Sequence, residues 1–114
     1  MPLACVDSST TSLADLITFE IHYADRIGEN YFSRPNPAHR WLFFPSMERT
    51  EAMLLKQWDS HGTLAQALSG KSPAAPAGGG DVSTFVLHSA FKDPSSKPDA
   101  PDRESIEVRC IVVW

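Results

Sequence analysis

His88, Arg103 and Ser105 are the residues whose types and order could carry chemistry in this 114-residue chain. An imidazole on a late strand can ligate a transition metal. Two histidines and one carboxylate, with open positions left over, make the facial site of a non-haem iron(II) oxygenase. The guanidinium of Arg103 offers a planar fork that takes a carboxylate through two bonds, which is what the distal end of 2-oxoglutarate requires. A hydroxyl two residues later can donate a further bond. A strand repeats every two residues, so Arg103 and Ser105 fall on one face, with Glu107 and Arg109. Ile106, Val108, Cys110 and Val112 then fall on the other. Spacing alone favours a plainer reading. In it His88 is a strand histidine with a hydrogen-bond partner, and Arg103, Glu104, Glu107 and Arg109 form a solvated, salt-bridged face.

The elements that would position these residues read as short strands separated by proline and glycine. Nine prolines lie mostly between apolar runs, which favours strands and turns over long helices. Leu13 to Tyr23 fits both periods, and its β-branched and aromatic content predicts a strand in its second half. Gly28-Glu29-Asn30 reads as a turn, and Tyr31-Phe32 as a short extended piece ending at Pro35-Asn36-Pro37. Arg40 to Phe44 is a strand closed by Pro45. Residues 46–51 read as a turn or a single helical turn capped by Ser46. Ala52 to Trp58 is helix by propensity, or a buried strand. Thr84 to His88 and Ser105 to Trp114 are the last two strands, the final one the clearest in the chain. Residues 92–102 are a proline-rich connection. Residues 62–82 read as a flexible Pro/Gly/Ala-rich loop within one domain spanning 1–114. The fold class is mainly β, of sandwich or jelly-roll type with short helical turns.

Composition narrows the partners. A net charge of −4 and the lack of any basic run argue against nucleic acid. The apolar end Ile111-Val112-Val113-Trp114 is far too short to span a bilayer. The first ten residues lack the basic and apolar regions of a secretory signal. Cys5 and Cys110 lie at opposite ends with no metal or redox spacing, so a reduced, cytoplasmic setting is expected. His39 precedes an aromatic strand and is read as packing or bonding to backbone rather than lining a pocket. His22 is read as exposed, and Trp41, Phe43, Phe44 and Trp58 as mostly core.

Several residue blocks, taken together, resemble the AsaB hydroxylase/desaturase family, which is similar to the CmcJ proteins. They are Pro2-Leu3-Ala4 with Cys5 and Asp7, then Tyr23 to Tyr31, Asn36 to Trp41 with Phe43-Phe44-Pro45, and Glu51 to Ser60. His88-Ser89-Ala90-Phe91 with Asp93-Pro94, and Asp99-Ala100-Pro101 with Arg103 to Arg109, complete the set. The resemblance implies a non-haem iron, 2-oxoglutarate-type oxygenase of fungal secondary metabolism that hydroxylates or desaturates small natural products. It implies a double-stranded β-helix of cupin-like form, of which this chain would be the C-terminal half. It implies His88 as the distal iron ligand, Arg103 with Ser105 as the 2-oxoglutarate clamp, and a strand at Ala52–Trp58.

One departure stands out. The family places a His-x-Asp pair upstream of the matched region, and here His22, His39 and His61 are followed two residues later by Ala24, Trp41 and Thr63. Residues 63–82 also look longer than the family's. The chain is therefore expected to be truncated, or completed by a partner, and to be inactive alone. Its sheet edges would be left open to self-association. The alternatives are a non-catalytic jelly-roll binding module and an inactive gene-fragment product.

Overall fold

The computed structural model describes residues 1–70 and 83–113. Among these residues it is mainly β, with two antiparallel sheets, one short α-helix and two single 3-10 turns at Ser8–Thr10 and Leu13–Asp15. The elements in chain order are β1 (Leu3–Val6), β2 (Leu16–His22), β3 (Ile27–Ser33), β4 (Trp41–Phe43), α1 (Thr63–Leu68) and β5 (His88–Ala90).

The first sheet has the order β4-β1-β5, so the chain's opening strand lies at its centre. Ala4 faces Phe43 on one side and Ser89 on the other, while Cys5 faces Leu42 and His88. Backbone bonds prolong the ladder beyond the strands, from Val6 N to Leu87 O (2.9 Å), Asp7 N to Arg40 O (2.9 Å) and Phe91 N to Pro2 O (3.1 Å). Alternation along β1 buries Ala4 and Val6, which with Ala65 of α1 are the buried apolar residues. Cys5, between them, is half-buried, and burial pushes its thiol pKa up.

The second sheet is the β2–β3 hairpin, paired from Leu16↔Ser33 to His22↔Ile27. The strand expected in the second half of 13–23 is β2. The turn expected at Gly28–Asn30 lies inside β3 instead. The chain reverses earlier, where Tyr23 N donates to Arg26 O at 2.8 Å and the Arg26 guanidinium sits 4.3 Å from the Tyr23 ring centroid. Gly28 is favoured there by packing, since a Cβ would stand 3.2 Å from the Tyr23 ring edge.

Residues 52–58 form neither the helix of their propensity nor an assigned strand. Their end runs beside residues 84–86, joined from Val86 N to Lys56 O (3.0 Å) and from Asp59 N to Thr84 O (2.7 Å). Residues 46–51 make turns, with Ser46 in the left-handed region at φ 55°. Within the segment expected to be a loop, Thr63–Leu68 is helical, as its Leu, Ala and Gln content allows. Residues 71–82 of that segment lie outside the described residues.

The strand expected at 105–114 is not formed over the described residues to 113. Alternation is present in the sequence, but among the described residues no neighbouring edge pairs with it, and a strand without a partner has nothing to fix it. Ile106 is 95% exposed, and Val108, Ile111 and Val113 are nearly as open. The radius of gyration, 16.5 Å, exceeds the roughly 13 Å of a compact chain of this length.

Candidate functional site

His88 opens β5 and reaches a hollow of about 430 Å³ formed between β3 and the paired segments at 57–58 and 85–88. One wall is a ladder of rings. Tyr31 stacks on Phe85 at 5.0 Å between centroids, and Trp58 lies on Phe85 at 6.5 Å, with interplanar angles of 20° and 18°. Polar side chains at Glu29, Asn30 and Gln57 share the lining.

The His88 ring is oriented by the backbone two residues before it. Nδ1 lies 2.9 Å from the carbonyl oxygen of Val86. A carbonyl can only accept, so Nδ1 carries a proton, and in the neutral ring Nε2 carries the lone pair. Histidine ligands of metals are commonly held in this way, through a bond from the other ring nitrogen.

Arg103 and Ser105 are not brought to His88. Arg103 Nε donates to the carbonyl of Met1 at 3.1 Å, whereas His88 pairs with Cys5. Three residues of largely extended chain lie between Met1 and Cys5, about 13 Å of rise. Ser105 lies in the exposed 101–113 segment.

The other histidines are committed to carboxylates. His22 Nε2 sits 3.1 Å from Glu20 on the exposed hairpin face, as expected of an exposed residue. His61 stands 3.8 Å from Asp59. His39 Nε2 bonds Asp15 Oδ2 at 3.1 Å, with only 3% of its side chain exposed. It is a packing residue, and the aspartate that holds it had no signal in the spacing. Among the described residues no three His, Cys, Asp or Glu side chains gather to hold a metal. One histidine with an unbonded ring nitrogen does not by itself fit an iron(II) site.

A second hollow, of about 500 Å³, lies against the first sheet and is almost wholly apolar, with Trp41, Phe43 and Phe91 in its wall. Phe43 and Phe91 meet edge to face at 5.0 Å. Trp41, Phe43, Phe44 and Trp58, expected in the core, are all exposed.

A family model described as an oxidoreductase/YMDC permease-like domain matches residues 1–113, and the chain belongs to that family. It is similar to aspirochlorine biosynthesis protein N of Aspergillus oryzae, with 32% identity over 99% of this chain and 41% of the relative. Similarity to the hydroxylase/desaturase efuI of Hormonema carpetanum is 30% over 99% of this chain and 36% of that protein. The Fe(II)/2-oxoglutarate-dependent dioxygenase nvfI of Aspergillus novofumigatus is 30% identical over 97% of this chain and 34% of its own length. The chain therefore spans well under half the length of these curated relatives. No solved structure matches it. The hydroxylase/desaturase resemblance read from the residue blocks is borne out. No helix among the described residues is long and apolar enough to cross a membrane.

Proposed function

We propose that this chain is the part of a hydroxylase/desaturase-type oxygenase that supplies one iron-ligating histidine, His88, and most of the wall of a natural-product pocket. The observation that carries the reading is the bond from His88 Nδ1 to Val86 O, which leaves Nε2 free at the edge of the hollow. The His-x-Asp pair comes from residues outside this sequence, whether in a longer product of the same gene or in a second polypeptide. Arg103 and Ser105 form the 2-oxoglutarate clamp once residues 103–113 find a strand partner and complete the double-stranded β-helix. Similarity to a protein named as an Fe(II)/2-oxoglutarate-dependent dioxygenase supports the cofactor pair. The setting is cytoplasmic, and the substrate is a small natural product.

A second reading, a non-catalytic interaction module, is favoured by the absence of a converging metal-ligand set among the described residues. One experiment separates the two. The chain is co-expressed with the upstream part of a relative that carries His-x-Asp, and anaerobic iron(II) and 2-oxoglutarate are added. The oxygenase reading expects the visible charge-transfer band of the ternary complex, and its loss in His88→Ala. No band from the pair, or a band that survives His88→Ala, overturns it.

A further inference from the structure

We propose that the hollow beside His88 selects a flat, unsaturated small molecule carrying a protonated amine. The proposal rests on the oxygenase reading for its substrate role, but not for the binding itself.

The volume, about 430 Å³, lies in the range that holds a small organic ligand. Its walls sort the chemistry. Tyr31 and Phe85 cover each other's faces, so they set a rigid base. Trp58 ends the ladder and is 51% exposed, leaving an indole face for a planar ring to stack on.

The polar rim has one sign. Among the described residues Glu29 is the carboxylate of the lining, and no lysine or arginine lines the hollow. Among the described residues Glu29 accepts from Tyr31 Oη at 3.3 Å and has no basic side chain in ion-pair range. The nearby Lys56 is already taken, by Asp59 Oδ2 at 2.8 Å and Ser83 O at 3.2 Å. An ionised carboxylate only accepts hydrogen bonds, so the ligand group that meets it must donate. A cation gains there from both the carboxylate and the aromatic faces.

The test is a metal-free NMR titration of the full chain with tryptamine and with indole-3-propionate, which share ring and length but differ in charge. Tryptamine is expected to bind about tenfold more tightly, the sum of a modest exposed attraction and a like repulsion. Glu29→Gln should bring the two affinities to within about threefold of each other, and Trp58→Leu should weaken tryptamine. Because the comparison is a ratio on one protein, partial misfolding of a variant moves both ligands together. Equal affinities, preference for the acid, an unchanged ratio in Glu29→Gln, or no binding of either probe overturns the proposal. The titration contains no metal, so its failure leaves the His88 experiment standing, and loss of the iron band leaves this one standing.

Discussion

His39 and Asp15 form a buried-side link between two parts of the chain, with Nε2 of the histidine 3.1 Å from Oδ2 of the aspartate. Asp15 ends a 3-10 turn just before β2, and His39 lies just before β4. The same carboxylate accepts from Ser12 N at 2.9 Å and from Asn36 Nδ2 at 3.0 Å. Arg34 bonds the backbone beside it, to Ala14 O and Asp15 O. One aspartate thus ties the hairpin's base to the Asn-Pro-Ala-His-Arg block that leads into the first sheet.

These bonds set a pH dependence. The Ser12 N–H first, then His39 and Asn36, hold the Asp15 carboxyl below its ordinary range. A depressed carboxylate stabilises the fold at pH above its unfolded value, about 3.9. That stabilisation is lost as pH falls through the native value. Asp15→Asn should therefore flatten the acid limb of stability against pH, followed by circular dichroism. An acid limb identical to the parent's would contradict the role assigned to Asp15.

Helix α1 borrows its cap. Gly62 at its N-cap has no side chain to offer, and the hydroxyl of Thr84 accepts from Leu64 N (3.0 Å) and Ala65 N (3.3 Å) instead. Thr84→Val should cost about 1–2 kcal/mol in denaturant unfolding, the usual worth of a cap. Gly62→Ala should cost more, because a Cβ there would overlap the Thr84 backbone and side chain. A neutral Thr84→Val would show that water replaces the hydroxyl.

His88 should matter for ligation and not for stability. It is exposed on a three-residue edge strand, so His88→Ala should change unfolding free energy by no more than about 0.5 kcal/mol. Nitrogen-15 chemical shifts should show the neutral ring protonated at Nδ1. The opposite tautomer would remove the argument that Nε2 is free.

The apolar surface predicts association. Trp41, Phe44, Leu54, Ile106, Val108 and Ile111 are exposed together with many others, and among the described residues β4 and β5 are the edges of the first sheet with no further strand paired to them. Sedimentation velocity should find species heavier than the 12.6 kDa chain, and Ile106→Lys with Val108→Lys should reduce them. A monodisperse monomer would show that these faces do not pair. Amides of 105–113 should exchange with solvent far faster than those of β2 and β3.

Local chemistry made part of this fold legible. Aromatic and β-branched content marked β2 and β4, and composition gave the mainly β class. Local chemistry also misled where pairing decides. Gly28, Glu29 and Asn30 have turn propensities, yet their opposition to Ile21, Glu20 and Phe19 keeps them extended. Residues 105–113 have the best alternation in the chain and no strand, because a pattern cannot supply a neighbour. β1 is only four residues long and gains its place from two flanking strands far away in sequence. Of the candidate site, His88 was singled out through the family blocks, and its role as a ligand is a proposal. The Tyr31–Phe85–Trp58 ladder was not singled out, since its three rings come from separate segments.

The cap on α1 also orders assembly. Six residues are too few to hold a helix unaided, and the hydroxyl that steadies them is 20 positions downstream of Leu64. Residues 56–59 must therefore meet 84–86 before α1 has its cap. Thr84 thus serves two regions at once, its carbonyl accepting from Asp59 N at 2.7 Å while its hydroxyl caps α1.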